Sequence, residues 1–227
     1  MNGFRSAAVA LVLGVASMAA SNANATVNVS WADWTNASAG VVGGTITAPS
    51  GTVGVTYSGA YSFAQVNNTG TDYWVDNGYT QGVVNRPPTV DLIALDAGGP
   101  KTITFSQAVT DPYVAFTSWN GNTVSFSAPF TVISQGCGYW GCGSFATFGG
   151  NTGFVGNGEV HGVLQFQGTF TSLSFTDTSE NWHGLTVGIG NVAGVPEPAT
   201  WAMLLVGVFG VGAMLRASRR RHGLTAV

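Results

Sequence analysis

Charge is what this chain lacks most: Asp, Glu, Lys and Arg make up 7% of its 227 residues, against about 25% in an ordinary soluble protein. That scarcity excludes a helical cytosolic enzyme, whose exposed faces draw on Glu, Lys and Arg. Positive charge is scarcer still. Between residues 26 and 195 the fixed cations are Arg86 and Lys101, set against Asp33, Asp72, Asp76, Asp91, Asp96, Asp111, Glu159, Asp177 and Glu180, a net −7. With no basic stripe to track phosphates, nucleic acid is not an expected partner. No Gly-rich stretch leads into Lys-Ser/Thr and a helix, so a phosphate-cradling loop is absent. No fixed-period repeat is present either, which argues against the flat, repeat-built threonine array that ice binding requires.

Glycine is abundant instead, at 33 residues, together with 13 Phe and 7 Trp. A low-charge chain rich in Gly, Thr, Ser and Asn fits an exported β-protein. Both ends read as processing signals. Residues 1–5 give a short positive start, and residues 6–20 an apolar run centred on Val9, Leu11, Val12, Leu13 and Val15. Ala23-Asn24-Ala25 follows as an A-x-A site of the kind signal peptidase admits, so residues 1–25 are expected to be a signal peptide cleaved after Ala25. The run is too short for a comfortable membrane span of about 20 residues.

At the other end the chain reads VPEPATWAMLLVGVFGVGAMLRASRRRHGLTAV. Pro196-Glu197-Pro198 precedes an apolar stretch over residues 199–215 and a cluster of Arg216, Arg219, Arg220 and Arg221. Seventeen helical residues would span roughly 25 Å, enough for a thin bilayer. Trp201 would sit at the outer interface and the arginines on the cytoplasmic side. The two prolines cannot enter a helix interior and bias the stalk toward an extended backbone, which a protease cleft can hold.

These residues resemble the PEP-CTERM sorting signal, in the variant with Trp-Ala two residues after the motif; the tail also carries the label ice-binding protein C-terminal domain. The resemblance covers residues 195–221 and leaves 222–227 as a short cytoplasmic tail. It implies recognition by exosortase, a membrane cysteine protease, in a Gram-negative-type envelope that makes exopolysaccharide. Transient inner-membrane anchoring is then expected, followed by release to the cell surface or beyond.

Residues 26–194 remain for a single domain. Apolar residues alternate with Thr and Ser in Ile103/Phe105, Val124/Phe126 and Leu173/Phe175, with Thr186 and Gly188 in Leu185/Val187/Ile189 and, less cleanly, with Val163, Gln165 and Gln167 in Leu164/Phe166, the period-2 pattern of strands with one buried face. Turn residues punctuate them, and Trp119-Asn120-Gly121-Asn122-Thr123 predicts a hairpin with a tight Asn-Gly turn. No stretch shows a 3.6 period. The prediction is an all-β, jelly-roll-like sandwich. Residues 26–85 are Gly-rich and less regular, with one clear strand around Val53, Val55 and Tyr57. This middle is also similar, more loosely, to domains carried by other PEP-CTERM proteins, which implies a fold and no activity.

Cys137 and Cys142, in Cys-Gly-Tyr-Trp-Gly-Cys, are expected to form a local disulfide in an oxidising compartment. A metal or redox pair is the alternative, with His161 and His183 as further ligands, but the spacing is four rather than two. Tyr139 and Trp140, inside that loop and with Trp119 as a neighbour, are candidates for stacking on sugar rings; the plainer alternative is that they cap the core. Trp182 and His183 are expected to pack beside the last strand, and no nucleophile pairs with the histidine. The acids fall into loose clusters, Asp72 with Asp76, Asp91 with Asp96, and Asp177 with Glu180. Solvated turn acids are the simple explanation and a structural Ca²⁺ the alternative; no other cofactor and no metal centre is expected. The functional expectation is a non-enzymatic surface or matrix protein that binds exopolysaccharide, with signal peptidase, exosortase and the membrane as partners along its route. The alternatives are a carbohydrate-active hydrolase, which needs two carboxylates about 5–10 Å apart in a cleft, and a matrix component without a ligand.

Overall fold

The computed structural model describes residues 27–75, 77–83 and 85–192. The predicted signal peptide with Ala23 and Ala25, the sorting motif with Pro196, Glu197, Pro198 and Trp201, the arginines Arg216, Arg219, Arg220 and Arg221, and Asp76 lie outside the described residues. Among the described residues no helix is long and apolar enough to cross a membrane.

The described chain is all-β. Its strands are β1 (Val27–Ser38), β2 (Val41–Ala48), β3 (Gly51–Ser58), β4 (Phe63–Ala64), β5 (Ile93–Leu95), β6 (Gly99–Thr110) and β7 (Pro112–Trp119). They continue with β8 (Thr123–Phe126), β9 (Phe130–Gly138), β10 (Gly141–Phe148), β11 (Gly153–Gly158), β12 (Val160–Phe166), β13 (Thr169–Asp177) and β14 (His183–Val192). One 3₁₀ turn, Asn77–Tyr79, interrupts the segment between β4 and β5.

These strands form one large antiparallel sheet, ordered β1-β2-β3-β6-β13-β8-β11-β10-β9-β12-β7-β14-β5-β4. β1 also pairs with β14, so the order closes on itself. β5 lies beside the start of β14 and β1 beside its end. Closure leaves few unpaired strand edges for other chains to add to.

The period-2 stretches behave as their alternation demands. Ile103 and Phe105 on β6, Val124 and Phe126 on β8, and Leu173 and Phe175 on β13 all point into one core with Trp34, Phe116, Phe154 and Phe166. β7, β12 and β14 depart from simple alternation. Every residue of β7 is buried, so is β14 from His183 to Ile189, and in β12 only Gln165 is partly exposed. Their outer face is covered by the segment between β4 and β5, which builds a second core from Trp74, Tyr79, Val83 and Leu92 against Val29, Trp31, Tyr113, Ala115 and Val163. A buried aromatic removes about 150–250 Å² from water, so at ~25 cal/mol per Å² Trp74 and Tyr79 each contribute roughly 4 kcal/mol before ordering entropy. The Asn85 amide pins the segment like a strand, accepting from Val29 N–H at 2.8 Å and donating to its carbonyl at 2.8 Å.

Two expectations are corrected here. Residues 26–85 hold three regular strands in a meander, where the sequence suggested one. Trp119–Thr123 is no hairpin either. β7 pairs with β12 and β14, while β8 pairs with β11 and β13. Asn120-Gly121-Asn122 therefore carries the chain from one part of the sheet to another. The fully buried Trp119 indole anchors that corner, its Nε1 donating to the Gly184 carbonyl at 3.0 Å.

Register fixes two poles. The end of β7, the start of β12, the end of β9 and the start of β14 lie together, through Trp119↔Val160, His161↔Gly136 and Gly184↔Thr117. At the opposite pole Val27 pairs with Val192, so the described chain starts and ends side by side. Ten residues of β14 separate the poles by about 33 Å.

Candidate functional site

The pole away from the chain ends carries an open aromatic surface. It is built on the β9–β10 hairpin, where Gly138 pairs with Gly141 and Cys137 with Cys142, leaving Tyr139 and Trp140 as a two-residue tip. The expected Cys137–Cys142 disulfide closes that tip. Both bracketing glycines are required. A Cβ on Gly138 would lie 2.2 Å from His161 Nδ1, and Gly141 has φ +145°, which L side chains rarely adopt. Beneath the tip the His161 ring is buried, hydrogen-bonded through Nδ1 to Tyr79 Oη at 2.8 Å and Thr117 Oγ1 at 3.1 Å.

Tyr139 is 44% exposed and Trp140 54% exposed, so they do not cap the core. Two half-buried rings from distant segments join them. Tyr73 lies 5.1 Å from Tyr139 and 4.9 Å from Trp182, while Trp140 lies 4.8 Å from Tyr139 and 6.2 Å from Trp182, between ring centroids. Tyr73 is held by its neighbours: Arg86 Nη1 grips both Asp72 carboxylate oxygens, at 3.0 and 2.8 Å, and the Trp74 carbonyl at 2.8 Å. Trp119, expected nearby, belongs to the core instead. Tyr73 went unnoticed in the sequence because its partners lie far along the chain. Trp182, expected against the last strand, shares a surface with the hairpin through Trp140.

A pair of carboxylates borders these rings. Glu159 lies against Gly141: a Cβ there would meet Glu159 Cγ at 3.3 Å. Glu180 precedes Trp182 by two residues. Asn120 bridges them, donating from Nδ2 to Glu159 Oε1 at 2.8 Å and from its backbone N–H to Glu180 Oε1 at 3.2 Å. Ser118, in the left-handed region at φ +56°, donates to Glu159 Oε2 at 2.5 Å and so helps hold the irregular end of β7. Burial pushes the Glu180 carboxyl up to about 7; the Asn120 N–H opposes that rise and the Glu159 charge adds to it.

Below Glu180 the polar groups turn inward. His183 is fully buried, with Nε2 at 3.1 Å from Asp177 Oδ2, Nδ1 at 3.4 Å from Glu180 Oε2, and its ring centroid 4.3 Å from that of Trp119. Burial holds its pKa below the ordinary histidine value; the hydrogen bond and charge of Asp177 pull the other way. Asp177 in turn pairs with a buried Lys101, whose Nζ also donates to the Ala97 carbonyl at 2.9 Å. His183 is thus the first residue of β14 itself rather than a side chain packed beside it, and it lies between carboxylates.

Three of the acids that suggested calcium are used in other ways. Asp72 binds Arg86, Asp91 is buried and accepts from Trp34 N–H at 3.0 Å, and Asp177 holds Lys101 and His183. Among the described residues no group of three or more His, Cys, Asp or Glu side chains is arranged to hold a metal ion. No family model matches the chain, and no curated protein or solved structure is significantly similar to it.

Proposed function

We propose that this chain is an exported β-domain, sorted through its C-terminal tail by an exosortase, that works as a non-enzymatic glycan-binding or adhesion protein in an extracellular polysaccharide matrix. The aromatic surface of Tyr73, Tyr139, Trp140 and Trp182 carries this reading. Sugar rings present an apolar C–H face, and tryptophan and tyrosine supply large, rigid area at small entropic cost. An exposed patch of this kind marks an interaction site more often than an idle surface.

The rest of the molecule is consistent with that role. The disulfide suits an oxidising compartment. The strand order supports a jelly-roll-like sandwich, because β5-β14-β7-β12 and β6-β13-β8-β11 follow the two four-strand rows of that topology, with β9 and β10 as an extension. A tail leaving after β14 starts from the pole that also receives the chain from the signal peptide. During anchoring, the aromatic surface would then face away from the membrane.

A glycan array probed with the full chain in detergent tests the proposal. Binding to a polysaccharide is expected, with Tyr139→Ala and Trp140→Ala each weakening it by about tenfold or more. Absence of binding to any sugar would leave a matrix component with no ligand, and indifference to both substitutions would move the site elsewhere.

One observation favours a hydrolytic second reading: Glu159 and Glu180 meet at Asn120, and Glu180 is raised to about 7, as a general acid would be. Release of reducing ends that Glu180→Gln abolishes would establish it.

A further inference from the structure

We propose that the aromatic surface takes amino-sugar polysaccharide, with the Glu159–Glu180 pair receiving the sugar ammonium groups; this rests on the stacking role argued above. The inference comes from how the charges are used. The described domain has two fixed cations, and both are already paired with an acid. Lys101 is completely buried on Asp177 and the Ala97 carbonyl, and Arg86 grips Asp72 and the Trp74 carbonyl. His161 and His183 are buried beneath the surface. Each fixed cation among the described residues therefore already carries a carboxylate partner, with the Arg86 side chain 37% exposed, and the excess of acid repels a polyanion.

The acids at the patch are placed for the opposite partner. Glu159 lies against Gly141 beside Trp140, and Glu180 lies two residues from Trp182. Asn120 ties the two together, Glu159 lying against the residue that follows Trp140. An ammonium group there meets carboxylate charge on one side and the negative faces of tyrosine and tryptophan rings on the other. Cation–π attraction contributes in the same direction as Coulomb attraction. It would also relieve a burial cost, since the Glu180 side chain is only 15% exposed and, among the described residues, the one base beside it is His183, whose pKa burial lowers. The other groups around it are Asn120, the Asp96 carbonyl and Glu159.

The test titrates the full chain in detergent, at neutral pH and low salt, with oligomers of glucosamine, of N-acetylglucosamine and of galacturonate, matched in length. The glucosamine oligomer should bind about tenfold tighter than its acetylated counterpart, a difference of about 1.4 kcal/mol, and the galacturonate oligomer least. The paired isosteric change Glu159→Gln/Glu180→Gln should erase the preference while the N-acetylglucosamine affinity holds. Equal binding of the two glucosamine forms, or tighter binding of galacturonate, overturns this inference and leaves the stacking role standing. Loss of all binding with Trp140→Ala, alongside an intact preference in the wild-type chain, supports both. If no oligomer binds, the stacking role fails first and this inference with it.

Discussion

Lys101 and Asp177 form an ion pair in which neither side chain has any solvent exposure. Taking two charges out of water costs several kcal/mol each, and the pair survives because Lys101 also reaches the Ala97 carbonyl and Asp177 also reaches His183. Breaking it from one side leaves the other charge stranded. Asp177→Ala should therefore destabilise the domain by about 3–5 kcal/mol, read as a lower urea midpoint. The double change Lys101→Met/Asp177→Leu should recover part of the loss. A double variant no better than the single one would show that His183, rather than Lys101, is the partner that matters.

Glu180 makes stability depend on pH with a sign that can be worked out. Its folded pKa, about 7, lies above the ordinary 4.5, so the folded state holds the proton more tightly. The associated stability is complete below the ordinary value and is lost as pH rises through 7. Glu180→Gln removes this dependence while keeping an oxygen for the Asn120 N–H. The variant should match wild type near pH 4 and exceed it by roughly 2–3 kcal/mol at pH 8, measured by denaturant unfolding at both pH values. A constant gap across that range would contradict the assignment.

The Cys137–Cys142 bridge closes a very short loop, so its entropic contribution is modest, about 2 kcal/mol. Its larger effect should be on the tip. Replacing both cysteines by serine, which avoids a stray thiol, is expected to leave the β-fold intact by circular dichroism and to loosen Tyr139 and Trp140. Their packing on Tyr73 and Trp182 would fade, seen as lost near-ultraviolet signal and weakened glycan binding. Unchanged binding would mean that the glycines and His161 alone shape the hairpin.

Much of this was legible in the chain itself, and the failures share a cause. Alternation at 103/105, 124/126 and 173/175 identified strands and their inner faces, because a half-buried strand must alternate. The same parity also held an unused signal: Lys101 and Asp177 lie in step with Ile103 and with Phe175, which places a lysine and an aspartate inside the core. The second core leaves no pattern to read because β7 and β14 are buried on both faces, and their cover comes from an irregular segment with no period of its own. Asn120-Gly121 has the local chemistry of a hairpin turn, but the partners of β8 were decided by tertiary packing. The disulfide was local and therefore readable. The aromatic surface was half readable, since its hairpin rings are neighbours in sequence while Tyr73 and Trp182 arrive through the fold.

The sorting proposal makes a prediction independent of the β-domain. Pro196 and Pro198 would keep the stalk extended outside the bilayer, where a membrane protease could take it, while Arg216, Arg219, Arg220 and Arg221 would hold the helix inward. Deleting residues 196–198 should leave export and folding unchanged but block tail removal. The product would then stay in the membrane fraction at a higher mass than the released wild-type form, by the mass of the retained tail. Replacing the four arginines with glutamine should act differently, loosening anchoring before the protease step and lowering the yield of released protein. Mass spectrometry of membrane and medium fractions separates these outcomes, because it reads both ends of each product. Identical fractionation and identical mass for wild type and the stalk deletion would remove exosortase from the scheme, while the aromatic surface and its glycan test would stand on their own.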